Sequence, residues 1–283
     1  MNIWELIVAL ILGVVEGLTE FAPVSSTGHM IIVDDMLLQS KELLGSQDVA
    51  NTFKVVIQLG SILAVVIVFW SRFMDLLGIK KQDQSGSSRL TLSTVLVGLL
   101  PAIVLGFAFE DFIDTYLFSV ETVIVGLVAG AVLMIAADWK VKRDEKAGIG
   151  TKIDGLDAIS YKNAFLIGLF QCIALWPGFS RSGSTISGGV LLGLPYRAAA
   201  DFTFIMAVPI MAGASGLSVL KNLEYFTADM IPFFAVGFVS AFIFAFISIR
   251  FFLALISKIR LLPFAIYRIV LAFVILGVYL NMN

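Results

Sequence analysis

Hydrophobic residues run along this chain in blocks too long and too uniform for amphipathic surface helices. Residues 53–70, 91–109, 120–137, 202–220, 231–249 and 262–280 are almost free of charge. At 1.5 Å per residue each block reaches about 27 Å as helix, close to the thickness of a hydrocarbon core. Two further apolar stretches are interrupted. Residues 3–23 run into Ser25, Ser26, Thr27, Gly28 and His29; residues 161–176 run into Pro177, Gly178, Phe179, Ser180, Arg181, Ser182, Gly183, Ser184 and Thr185, and only a short apolar stretch follows to Leu194. Non-helical backbone survives at membrane depth only where protein or a water-filled cavity satisfies it. Both stretches therefore read as re-entrant hairpins that line a site.

Lys and Arg in short loops stay on the cytoplasmic side and so orient the spans. Arg72, Lys80, Lys81 and Arg89 lie after the first span, Lys140, Lys142, Arg143, Lys146, Lys152 and Lys162 after the third, and Arg250, Lys258 and Arg260 after the fifth. These segments are expected inside. The stretches 1–52, 110–119 and 221–230 are poor in basic residues and, with both termini, are expected outside. Six crossings fit this alternation only if the first hairpin enters and leaves on the outer face and the second on the inner face. The expectation is one all-α polytopic membrane domain over 1–283, with six spanning helices and two re-entrant helical hairpins. Inverted-topology repeats at approximately 1–137 and 160–283 would be joined by a cytoplasmic loop at 138–159. An offset of 155 pairs Gly13 with Gly168, Ser25 with Ser180, Gly28 with Gly183 and Glu16 with Gln171.

Composition agrees with a bilayer as solvent: 59% of residues are hydrophobic and 14% charged, against about 25% charged in an ordinary soluble domain. A net charge of -2 without a basic run argues against nucleic acid as partner. The lone Cys172 excludes an internal disulfide, and is expected to be plain packing. The first basic residue is Lys41, so no cleavable signal is expected and the N-terminus reads as part of the mature protein.

Glu16 and Glu20 stand four apart on the first hairpin helix and so share a face. Two carboxylates in apolar surroundings are not cheaply ionised together, which leaves a proton donor beside a base unless a cation or Arg neutralises both. The hydroxyls of Ser25, Ser26 and Thr27, ahead of a resuming helix, make an anion site with its amides. A bland helix cap explains one or two of them, but not the accompanying His29. The second tip repeats the device and adds Arg181, whose planar guanidinium suits phosphate oxygens. Arg197 is expected to snorkel to the cytoplasmic surface, whereas Arg268 is either a counter-ion or a snorkelling side chain. Lys54 and Gln58 are expected near the outer interface. Together these groups predict a phosphate-handling site within the bilayer, and hence a phosphorylated lipid as substrate.

The segment 16–20 fits the motif [E/Q]-x-x-x-E, 25–29 fits S-S-T-G-H, and 177–185 fits P-G-x-S-R-S-x-x-T. In these motifs, and in the stretches 58–61 and 263–268, the chain resembles the undecaprenyl-diphosphate phosphatase family, also called the bacitracin-resistance family. The resemblance covers nearly the whole chain; the segments 34–49 and 75–88 do not align with the family pattern. It implies hydrolysis of the C55 isoprenoid diphosphate to the monophosphate carrier of wall-polymer synthesis, in the bacterial plasma membrane, with the site open to the outer face. It also implies bacitracin resistance and a divalent cation, Mg2+ or Ca2+.

With that resemblance, Arg181, Ser180, Ser182 and Thr185 are expected to grip the diphosphate, alongside Ser25 and Thr27, and Glu20 and His29 to manage protons. Glu16 and Glu20 are expected to hold the cation, and Gln171 to support them. For the nucleophile, Ser26 with His29 as its base, His29 itself and an activated water all stay open. A transporter or flippase for a phosphorylated isoprenoid lipid is the rival reading, because broken helices in inverted repeats are also transporter architecture. The oligomeric state is open, a homodimer included.

Overall fold

The computed structural model describes residues 2–79 and 89–282. The basic pair Lys80 and Lys81 lies outside the described residues. Among the described residues every regular element is a helix. Five helices are long and apolar enough to cross a membrane: α4 (Gln47–Val68), α8 (Val120–Lys146), α11 (Tyr196–Lys221), α12 (Ile231–Ile259) and α13 (Leu262–Met282). The expected span at 91–109 is α6 (Leu92–Ala108), a shorter apolar helix of 17 residues with Pro101 inside it. The chain is a polytopic membrane protein.

Several helices outrun their apolar blocks. α8 continues past Ala137 to Lys146, so the connector expected over 138–159 is helical over its first nine residues. Its polar extension is held by Lys140, which pairs with Asp144 one turn on at 2.5 Å, and its last turn carries Arg143 and Lys146, which suit the negative end of the helix dipole. α11 starts at Tyr196 and α12 runs to Ile259, each past the charged residue, Asp201 or Arg250, that bounded its apolar block, because a single charge does not end backbone bonding.

The first interrupted stretch is α1 (Ile3–Thr19), a turn, then α2 (Ser26–Met30), which passes into a π-helical segment at Ile31–Leu38. The second is α9 (Tyr161–Ile173), a turn, then α10 (Arg181–Leu191). α1 packs along α12, and α9 packs along α6. Each contact is made through a glycine. A Cβ on Gly13 would collide with the Gly237 carbonyl and Ser240 Oγ, and one on Gly168 with the Gly98 carbonyl. Without a hydrophobic drive between helices in lipid, such close backbone approach is what dispersion attraction requires. α8 lies against α13, and α4 against α11. Lys54, expected at the outer interface, ties α4 to the π-helical segment through Asp34 at 2.8 Å and Asp35 at 2.9 Å.

Candidate functional site

Each hairpin turns at a serine in the left-handed half of backbone space: Ser25 has φ 71° and Ser180 has φ 71°. A non-glycine residue held there costs about 1–3 kcal/mol and persists only where its surroundings fix it. In both turns the serine caps the helix that follows, Ser25 Oγ accepting from Gly28 N–H at 3.4 Å and Ser180 Oγ from Gly183 N–H at 3.2 Å. The strain carries each tip abruptly back into helix, which leaves first-turn amides pointing away from the helix.

The two tips meet. Arg181 Nη2 donates to Glu20 Oε1 at 3.1 Å, and Ser182 Oγ donates to the Ala22 carbonyl at 3.1 Å. Arg181 also lies over the Phe21 ring, 5.8 Å from its centre. The other oxygen of Glu20 accepts from Ser26 Oγ at 2.6 Å. A carboxylate thus stands between a guanidinium and a hydroxyl, with both its oxygens engaged.

A cavity of about 480 Å³ opens beside this cluster. Glu20, Ser25, Ser26, Thr27, Ser180, Arg181, Gln58 and Gln171 supply its polar wall, and Ala102, Ile113, Phe118, Leu175, Trp176, Ile210, Met211 and Ala214 much of its apolar wall. Gln58 lines this wall, and its Oε1 accepts from Ser215 Oγ at 2.8 Å, which turns its N–H groups elsewhere. Arg181 Nη1 and both amide atoms of Gln171 are buried without a hydrogen-bond partner. Buried polar atoms in that state are costly, and these belong to two residues that line the cavity.

Other expected site residues stand elsewhere. Thr185 is fully buried behind the second tip, donating to the Arg181 carbonyl at 2.8 Å and accepting from Thr203 at 2.9 Å; it braces the backbone of Arg181 and does not line the cavity. Ser182 spends its hydroxyl on the other tip. Gln171 bonds to neither carboxylate. His29 is not placed as a base for Ser26: its Nδ1 lies 2.7 Å from the Ser25 carbonyl and its Nε2 2.7 Å from the hydroxyl of Tyr267 on α13. Arg268 is neither counter-ion nor snorkelling side chain. It is fully buried and donates to the carbonyls of Gly126 at 3.2 Å and Gly178 at 2.9 Å, clamping the second tip to α8. Arg197, half exposed, pairs with Asp201 at 2.9 Å.

Of the two carboxylates expected to hold a cation, Glu16 has a buried Oε1 without a partner, whereas Glu20 is fully engaged. No three His, Cys, Asp or Glu side chains among the described residues could hold a metal by themselves. Glu16 is not among the residues that line the cavity, so a hard cation on its free oxygen would have to draw its remaining ligands from phosphate and water, as Mg2+ commonly does.

An arginine with an unpartnered N–H group, a hydroxyl on a carboxylate and an apolar wall, set among helices of membrane-spanning length, suit a phosphorylated lipid. The family model for bacitracin resistance protein BacA matches residues 9–274, and the chain belongs to that family. It is 67% identical over 279 residues to an undecaprenyl-diphosphatase of Geobacillus sp. (strain WCH70), covering 99% of this chain and 100% of that one. It is 62% identical over 279 residues to the undecaprenyl-diphosphatase of Bacillus subtilis (strain 168), covering 98% and 99%. Bacillus licheniformis has an undecaprenyl-diphosphatase 2 that is 64% identical over 283 residues, covering 99% of this chain and 100% of its own length.

Proposed function

We propose that the protein hydrolyses undecaprenyl diphosphate to the monophosphate and inorganic phosphate in the cavity between the two tips, with Ser26 as nucleophile. The observation that carries the mechanism is the 2.6 Å bond from Ser26 Oγ to Glu20, a hydroxyl already on its base. Glu20 takes the proton as Oγ bonds to the terminal phosphorus, and the bond from that phosphorus to the bridging oxygen breaks. The lipid monophosphate leaves. Glu20 hands that proton to the departing monophosphate and is a carboxylate again; it then deprotonates the water that attacks the phosphoserine and returns that proton to Ser26 Oγ as inorganic phosphate leaves. Arg181 Nη1, with the first-turn amides of α10, faces the charge that grows on the equatorial oxygens. Glu16 would hold a divalent ion, Mg2+ or Ca2+, which supplies charge neutralisation on the diphosphate. The apolar wall takes the first isoprene units; the rest of the chain stays in lipid. Ser26, Glu20 and Arg181 come from a single chain.

Purified protein in detergent should release inorganic phosphate from a polyprenyl diphosphate, and acid quench of a single turnover should trap an acid-stable, alkali-labile phosphoserine. Phosphate release without that adduct would move the attack to water. Lipid movement without phosphate release would favour the flippase.

The same reading extends to topology. The halves 1–137 and 160–283 form an inverted repeat, supported by the exchange of partners in which α1 takes α12 while α9 takes α6, and by the matched serine turns. The cavity wall includes Ile113 and Phe118 from the connection poor in basic residues, which supports an opening at the outer face. Cysteine labelling of intact cells should reach position 115 and not position 148; labelling of 148 from outside reverses the orientation.

A further inference from the structure

We infer that His29, held by Tyr267, is a positioning residue that pins the strained Ser25 turn and so aims Ser26. A carbonyl oxygen can only accept, so the 2.7 Å contact to Ser25 places the ring proton on Nδ1. In the neutral ring Nε2 is then the acceptor, and it takes the Tyr267 hydroxyl at 2.7 Å. Both nitrogens are engaged, and neither is on Ser26, whose proton is directed at Glu20.

The two turns show why the first needs this extra bond. In the second, the strained serine is fixed by bonds of 3.2 Å to its Oγ and 2.9 Å from Ser184 N–H to its carbonyl. In the first, the matching bonds are both 3.4 Å. The backbone alone holds the first turn less firmly, although that turn carries the proposed nucleophile. His29 Nδ1–H adds a short bond to the same carbonyl. Ser184, the counterpart of His29, instead sends its hydroxyl to the Phe170 carbonyl. Tyr267 fixes the tautomer and ring orientation from α13, much as outer partners orient the histidine ligands of metal sites. Its side chain is otherwise half exposed, so loss of the hydroxyl alone leaves packing intact.

This rests on the reading of Ser26 as nucleophile, and the test separates the two. Asn places its amide nitrogen where His has Nδ1, whereas Gln reaches only the position of Nε2. His29→Asn should keep about a tenth or more of kcat with unchanged KM, while His29→Ala and His29→Gln fall at least about 100-fold, the cost of a reacting group displaced by about 1 Å. Tyr267→Phe should lower kcat about five-fold in the parent and not at all in the His29→Asn background, because Tyr267 acts only through the ring. Loss of 100-fold in Asn, Gln and Ala alike, in protein that melts at the parent temperature, overturns the clamp and makes the ring an acid, base or nucleophile. Additive losses in the double variant overturn the role of Tyr267. An active Asn variant whose parent forms no serine adduct sinks the nucleophile assignment and leaves the clamp standing.

Discussion

Replacing Arg181 by lysine is expected to lower kcat/KM at least about 100-fold, nearly as far as replacement by alanine. Charge is conserved in that exchange, so the loss must come from shape. Nη2 is committed to Glu20 at 3.1 Å, and Nη1 is buried and unpartnered on the same rigid plane. The fork thus holds the base with one prong and offers the other to phosphate. An ammonium is one compact point of charge and cannot serve two partners at fixed angles. Thr185 and Arg268 fix the backbone that carries the fork, through the carbonyls of Arg181 and Gly178. The measurement is phosphate release against substrate concentration, with folding checked by thermal melting. A lysine variant within a factor of a few of the parent would reduce Arg181 to a generic positive charge.

Glu20→Gln should be more damaging still, with kcat down about 1,000-fold. The exchange preserves size and lets one atom accept from Ser26, so packing at the tips survives. It removes the base and leaves the guanidinium without its carboxylate. The same variant offers a cellular readout, since on the proposed reading the protein consumes the lipid diphosphate that bacitracin sequesters. Overproduction of the parent should raise tolerance, and Glu20→Gln at equal level should not. Equal protection by both would mean that the protein acts by binding or moving the lipid.

The membrane class was legible because apolar blocks of spanning length have no other stable home. Helix ends were not, because α8 continues into polar residues held by pairs such as Lys140 with Asp144, and α12 runs on past Arg250. The tips announced themselves as runs of Ser, Thr and Gly, yet the positive φ at Ser25 and Ser180 could not be read from residues that ordinarily avoid it. Sequence spacing put His29 three residues from Ser26 and made them partners. The structure separates them, because the strained turn sends the imidazole to the Ser25 carbonyl and to a tyrosine 238 positions away. Gln58 and Ser215, 157 positions apart, were missed as a pair for the same reason. Tyr267 lay in the stretch 263–268 that carries the family resemblance, and that was its only signal.

The meeting of the tips has a consequence for biogenesis. Glu20 and Ser26 leave the ribosome early, Arg181 and Ser182 much later, and the guanidinium that clamps Gly178 belongs to the final helix. Membrane chains are laid down from the N-terminus, so every span before α13 can be inserted while the second tip still lacks its anchor. On the proposed reading, hydrolytic competence is therefore the last property the nascent chain acquires, and a product that ends before α13 would occupy the bilayer without returning monophosphate to it.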